Sequence, residues 1–337
     1  MLRHVLAFAL FLLPCCSSGA ADEPVIHDCD YWRLGKDNAE KAKGLAACDR
    51  IIKDKHFAPA DRAMAYAERA HFAANEGRND DAIAGFDQAL ALAPDSKTLI
   101  DWRRDRAHSL HSKGDHDRAI EEYDKVLAAK PDASVTFFRG LSYLAKGDET
   151  RGFADLGKGI ELAPDHHPYR SRRGLEYAKR GQADAALADV DKAIALKGDD
   201  SNSYLVRAEL YTKKGDTEKA IADLTRVAKL LPPEYAHLPY TNRALLYEQT
   251  KQYVQAIATY DKLITLSPGD AYYTTRRAAV LSKAAASATE APAAKTPPGK
   301  PLPADEQVSK PGAAGKGECR RYDVLSNMTM IAVPCPD

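Results

Sequence analysis

Glycines at Gly77, Gly114, Gly147, Gly181 and Gly215 recur along the chain at separations of 37, 33, 34 and 34 residues. A unit-ending residue follows each one, at Pro94, Pro131, Pro164, Gly198 and Pro232, and again at Pro268. So regular a spacing restricts the chain to a row of similar supersecondary units, each too small to bury its own apolar face and therefore stacked on its neighbours. Inside a unit the period is helical. Tyr66, Arg69, Ala70 and Ala73 precede Gly77, and Ala82, Phe86 and Ala89 follow it. The unit thus reads as helix, turn, helix, with glycine supplying the left-handed turn and proline stopping the second helix. Small residues at Ala82, Ala119, Gly152, Ala186, Ala220 and Ala256 let the helices approach. Large ones four positions later, at Phe86, Tyr123, Leu156, Val190, Leu224 and Tyr260, fill the space behind.

These residues, in this order, resemble the tetratricopeptide repeat family. The resemblance implies an all-α fold, a right-handed superhelix of helix pairs (an α-solenoid), with six units in residues 59–268, a degenerate unit in 25–58 and a capping helix in 269–286. Two departures stand out. Lys251 replaces the turn glycine of the sixth unit, and Gly157 and Gly159 loosen the second helix of the third, which is expected to be the least rigid. In the degenerate unit a helix is expected over 38–52, with Ala39, Ala42, Leu45, Cys48 and Ile52 on one side. Tyr31, Trp32 and Leu34 belong to a shorter partner helix.

The two ends differ from the array. Residues 1–21 carry Arg3 and His4, an apolar run from Val5 to Leu13, and small residues from Ser17 to Ala20, the layout of a secretory signal peptide. That run is too short to span a bilayer. Cys16 follows it and raises the alternative of a lipid anchor, although Leu13, Pro14 and Cys15 fit the lipidation pattern poorly. Cys29, Cys48, Cys319 and Cys335 then form an even set, which in an exported chain favours disulfides, the local pairing being Cys29 with Cys48 and Cys319 with Cys335. A zinc site would want closer Cys pairs. Residues 287–317, rich in Ala, Pro, Lys and Gly, are expected to form a disordered linker. Residues 318–337 are expected to form a small disulfide-closed hairpin, with strands around Val324–Leu325 and Met328–Val333 turning at Ser326 and Asn327.

One feature lies outside the family pattern. Arg69, Arg106, Arg139, Arg173, Arg207, Arg243 and Arg277 recur before the small residue of each first helix. Acids recur on the second helices at Asp87, Glu122 with Asp124, Asp155, Asp189 with Asp191, Asp223, and Asp261. An unpaired arginine near a helix interface is costly, so the joint recurrence predicts ion pairs within a unit or across to the next.

Chemistry finds little foothold. No phosphate-binding Gly-rich loop, nucleophile elbow or His-Glu-x-x-His helix is present. His108 and His111 lie one helical turn apart with His116 beyond the turn glycine, a pair without a fixed third ligand. No cofactor, metal or catalytic residue is therefore expected. Lys plus Arg and Asp plus Glu balance at 48 each, so no net field recruits nucleic acid. The family resemblance instead implies a concave groove lined by first helices. Its residues are His71, Asn75, Arg104, His108 and His111 early, Phe137, Leu141, Leu144 and Leu175 in an apolar middle, and Lys179, Asn202, Glu209, Lys213 and Leu245 late. Such a groove suits an extended peptide or a partner helix. The expectation is a non-enzymatic scaffold, periplasmic or secreted, that holds a protein or peptide partner in the bacterial cell envelope. The alternative is an outer-membrane lipoprotein, membrane-bound only through Cys16, that recruits a peptidoglycan hydrolase or protease.

Overall fold

At Gly77, Gly114, Gly147, Gly181, Gly215 and Lys251 the backbone turns to positive φ, and a helix begins two residues after each. The computed structural model describes residue 29 and residues 38–95, 97–290, 320–324 and 330–334. The expected signal peptide, the short helix around Tyr31–Leu34, most of the linker, Cys319 and Cys335 lie outside them.

The chain divides into two compact units, residues 1–152 and 153–337. In the first, α1 (Asn38–Lys53) precedes the pairs α2 (Pro59–Asn75) with α3 (Asn79–Leu92) and α4 (Leu99–Lys113) with α5 (His116–Ala129). Next comes α6 (Ala133–Ala145), and α7 (Glu149–Leu162) spans the division. The second contains α8 (His167–Lys179) with α9 (Ala183–Leu196), α10 (Ser201–Lys214) with α11 (Thr217–Leu230), α12 (His237–Gln249) with α13 (Tyr253–Leu266), and α14 (Ala271–Glu290). Even-numbered helices α2 to α12 are the first helices of the repeats. Odd-numbered helices α3 to α13 are the second.

The turns share one hydrogen-bond pattern. The residue after each positive-φ position donates its N–H to the carbonyl five residues back: Arg78 to Ala73 at 2.8 Å, Asp115 to Leu110 at 2.9 Å, and Gln252 to Tyr247 at 2.8 Å. These bonds close the otherwise orphaned carbonyls of the first helix. Lys251 makes the same turn at φ 59°, a conformation that costs a residue with a Cβ about 1–2 kcal/mol.

Each pair is sealed by the residues whose spacing first marked it. Ala82, Ala119, Ala186, Ala220 and Ala256 are fully buried, and so are Phe86, Tyr123, Leu156, Val190 and Tyr260. Each large side chain contributes about 1.5–3 kcal/mol of burial. Gly152 holds the small position on α7 because a Cβ there would come within 2.4 Å of Leu144 Cδ2.

The structure corrects two boundaries and one face. On α1 the buried residues are Gly44, Ala47, Cys48 and Ile51, whereas Ala39 and Ala42 are exposed and Leu45 and Ile52 half-buried. The helix is rotated so that Cys48 faces Cys29, whose Sγ lies 2.08 Å from its own. The capping helix runs to Glu290, not 286, because Ala284, Ala285 and Ala286 sustain it up to Pro292. The C-terminal strands are Arg320–Val324 (β1) and Met330–Pro334 (β2), antiparallel with Tyr322 opposite Ala332, so Leu325 and Met328 fall outside them. No helix among the described residues is long and apolar enough to cross a membrane.

Candidate functional site: the first-helix faces and their arginine rungs

The arginines face two kinds of slot on the second helices. One is the residue just before the large core residue of the arginine's own repeat. The other is the residue just after the large core residue of the preceding repeat. In the first compact unit Arg69 pairs with Asp49, which follows Cys48. Arg106 reaches Asp87 at 2.5 Å and Glu122 at 2.9 Å, and Arg139 reaches Asp124 at 2.7 Å.

In the second compact unit Arg173 makes a bidentate pair with Asp189, at 2.6 and 2.7 Å. Its preceding slot holds Gly157, where an added Cβ would lie 3.6 Å from the guanidinium. Arg207 fills both slots, with Asp223 gripped through two bonds of 2.8 Å and Asp191 at 2.6 Å. The hydrogen bond that it donates to Asp223 comes first in holding its guanidinium above the ordinary arginine range against the cost of burial. At Arg243 the two slots hold Thr225, 3.0 Å away, and Thr259, 3.5 Å away. Asp261, assigned to that repeat from the sequence, pairs forward with Arg277 of α14 at 2.5 Å. The same register explains Asp87, which serves the repeat after its own. Asp49 was missed although it follows Cys48 just as Asp87 follows Phe86.

The first-helix face of the first compact unit is polar and rich in histidine. Arg104 bridges Asp105 at 2.9 Å and Asp101 at 3.1 Å, and His71 lies 3.6 Å from Asp105. Burial raises the Asp105 carboxyl above its usual range, opposed by Arg104 and His71. His111 Nδ1 meets Ser142 Oγ at 2.8 Å, its ring lying 5.3 Å from that of His116. His108 is not on this face. It is only 4% exposed, Nδ1 meets Tyr123 Oη at 2.9 Å, and Nε2 is buried with no hydrogen-bond partner. Burial, followed by His111 and Arg104, pushes its pKa down to about 3, so it is a neutral core histidine. Among the described residues no three His, Cys, Asp or Glu side chains gather where they could hold a metal ion.

The expected apolar middle of the groove is corrected too. Phe137, Leu141, Leu144 and Leu175 are all buried. They point between helices, because apolar side chains on a first helix gain more from sealing its repeat than from lining a surface. Phe138, next to Phe137, is the aromatic left half-buried, packed at 4.6 Å against His108 and 5.6 Å against His111. A one-residue error in helical phase, about 100°, hid it.

What remains accessible of the expected groove is polar apart from Leu245. Asn75, Lys179 and Lys213 are exposed, and His71, Arg104, His111, Asn202, Glu209 and Leu245 are half-buried. On α8, Glu176 accepts from Lys179 at 3.1 Å and Arg180 at 2.8 Å, with Arg172 at 3.4 Å. Burial would raise its pKa, but these three cations hold it below the usual range. Glu209 pairs with Lys213 at 2.7 Å. Glu248 serves structure: it accepts from Tyr260 at 2.7 Å, Arg276 at 2.8 Å and Lys283 at 3.3 Å, tying α12 to α13 and α14.

Comparison with known proteins agrees with this architecture. Two tetratricopeptide repeat family models match, one over residues 104–167 and 171–235 and the other over 239–270. A search of curated proteins returns no match. Among solved structures, the hetero-tetramer of Cut9 and Hcn1 from the APC/C superposes with a TM-score of 0.51 at 15% identity, over 77% of this chain and 52% of that one. A tetratricopeptide repeat protein from Parabacteroides merdae gives 0.48 at 18% identity, over 66% of this chain and 92% of that one. YrrB, a tetratricopeptide protein with an unusual peptide-binding site, gives 0.39 at 18% identity, over 56% and 94%. Folds of this kind are typically non-catalytic scaffolds for protein or peptide partners. The matched repeats, their turns and their sealed helix pairs together show that residues 104–270 are built of repeats of the tetratricopeptide family.

Proposed function

We propose that the protein is an exported scaffold of the bacterial cell envelope that binds a protein or peptide partner on its first-helix faces and performs no chemistry itself. The observation that carries this reading is the accessible polar side chains, Asn75 and Arg104 in one compact unit and Lys179, Asn202, Glu209 and Lys213 in the other, on helices most of whose apolar residues are buried, Met64 of α2 being exposed. A face of this composition suits a polar or charged extended segment rather than an apolar helix. Export is supported by the layout of residues 1–21 and by the approach of Cys29 to Cys48, whose oxidation to a disulfide suits an oxidising compartment.

Photocrosslinking in living cells tests the binding face. Benzoylphenylalanine at Lys213 should capture a partner, whereas the same group at Lys192 on the second helix α9 should not. Capture only at Lys192 would overturn the assignment. The second reading, a lipid-anchored adaptor for a peptidoglycan hydrolase or protease, rests on Cys16 after the apolar run. Fractionation with and without globomycin decides it, since only a lipidated chain shifts.

A further inference from the structure

α14 is built as a first helix. Arg277 stands where the arginine of each repeat stands, Ala278 takes the small position after it, and Leu281 the position that Tyr143, Tyr177 and Tyr211 hold four residues after theirs. In the repeats these positions are where the second helix lands. A Cβ on Gly174, which follows Arg173, would come within 2.8 Å of Val190 and 3.4 Å of Asp189 on α9, and Lys219 of α11 lies 5.1 Å from the ring of Tyr211. Ala107, Ala208 and Ala244 are accordingly buried, whereas Ala278 is exposed and Leu281 is 43% exposed. No second helix follows α14 among the described residues. We propose that this open seam of α14 binds a helix donated by another protein, in which a small residue is followed after two positions by an acid and then directly by a large apolar residue. The surface lies at the end of the array and is separate from the polar first-helix faces, so the inference goes beyond the preceding reading.

Charge selects that occupant. Arg173 and Arg207 each grip an acid of their own second helix through two bonds, Asp189 and Asp223, and each is 20% exposed. Those acids come from the orders Ala186-x-x-Asp189-Val190 and Ala220-x-x-Asp223-Leu224. Arg277 pairs with Asp261 of the preceding helix and is 37% exposed, its other side open to a second acid. A second copy of α14 fits poorly, because residues 271–288 hold Arg276, Arg277 and Lys283 and no acid, so two such faces would set like charges together. The rim of the seam has also lost its charges. At three other junctions an exposed acid of a second helix pairs with a lysine of the next first helix: Asp80 with Lys113, Asp117 with Lys146, and Asp184 with Lys214. At the junction of α13 with α14 the same two positions hold Val254, which is 73% exposed, and Ala284. The last element of a stacked array needs a polar outer face to stay soluble, and an apolar one is suited to being covered.

The test uses the full chain and, as the donated helix, a fluorescein-labelled peptide of residues 216–231, which carries the sequence of α11 with Ala220, Asp223 and Leu224. Fluorescence anisotropy should show the peptide binding to the unaltered chain. Ala278→Arg fills the place of closest approach and should weaken binding at least about ten-fold. The residue is exposed, so the melting temperature of the chain should not change. Tyr272→Lys, on another flank of α14, should leave binding as it was. Reversing the acid in the peptide, Asp223→Lys, sets lysine against Arg277 and should also weaken binding about ten-fold or more. No binding by the unaltered chain, equal binding by Ala278→Arg, or indifference to the reversed acid overturns the proposal. Sedimentation of the unaltered chain alone closes the remaining route. Concentration-dependent dimers that vanish in Ala278→Arg would place a second copy in the seam and overturn the choice of occupant.

Discussion

The fifth and sixth repeats, α10 with α11 and α12 with α13, share a backbone but solve two local problems differently. Arg207 lies between two carboxylates, Asp191 and Asp223, whereas Arg243 lies against two hydroxyls, Thr225 and Thr259, and over the ring of Tyr240 at 4.8 Å. The fifth repeat turns on Gly215 at φ 81° and the sixth on Lys251 at φ 59°. Geometry is therefore inherited from the repeat, while charge compensation and turn strain are settled residue by residue. A guanidinium at this position takes acceptors from both neighbouring second helices, as Arg207 and Arg243 do, or from its own alone, as Arg173 does opposite Gly157, and ionised acceptors are one way to provide them.

The largest expected difference comes from removing the two arginines. Arg207→Met strands Asp223, which is 5% exposed, and should cost about 3 kcal/mol in urea denaturation followed by circular dichroism. Arg243→Met leaves neutral hydroxyls, one of which keeps its bond from Thr259 to the Gln255 carbonyl at 2.8 Å, and should cost less than about 1.5 kcal/mol. Equal losses would break the comparison.

The two acids around Arg207 should then separate from each other. Asp223→Ala, which removes the buried bidentate partner, is expected to cost about 2 kcal/mol. Asp191→Ala removes a half-exposed one and should cost under about 1 kcal/mol, with the loss shrinking as salt is added. The same logic places Arg173→Ala well below Lys179→Ala in thermal stability, because Lys179 is exposed.

Exchanging the turn residues should move stability in opposite directions. Lys251→Gly relieves the left-handed backbone and should gain about 1 kcal/mol, and Gly215→Lys should lose about as much. Failure of Lys251→Gly to raise the melting temperature would mean that lysine makes a compensating contact.

The subtlest contrast is in pH. Asp200 accepts from Ser203 at 2.6 Å and lies 3.5 Å from His167, and Glu248 is held by Tyr260, Arg276 and Lys283. Burial pushes both carboxyls upward, yet these partners leave both below their ordinary values of 3.8 and 4.5. With folded values depressed, each contributes stability that is present above the ordinary carboxylate range and lost as pH falls through the folded value. Asp200→Asn and Glu248→Gln should therefore weaken the protein at pH 7, and the penalty should shrink as the pH is taken below the ordinary carboxylate range. A penalty that stays constant with pH would assign the effect to packing.

The repeat itself was legible because its signal is multiplied. Each of the small and large core positions, each turn glycine and the odd Lys251 falls where the spacing put it, since one helix pair packs much like the next. The partners of the arginines were only half legible. The sequence shows which acids recur, but slots before and after a core residue face different repeats, and that distinction depends on helix phase across an interface. The groove was the least legible. His108, Phe137, Leu141, Leu144 and Leu175 belong to first helices as expected but turn inward, whereas Phe138 stays partly exposed.

From the order of residues alone follow the number of repeats, the helix breaks and the small-and-large seam that closes each pair, because these depend on contacts between residues close in the chain. Which arginine meets which acid, which side of α1 faces Cys29, and which side chains remain for a partner were decided only by stacking. A rotation of one residue on a helix moves a side chain by about 100°, and nothing local in the sequence sets that angle: it is set by the neighbouring repeat against which the helix must pack.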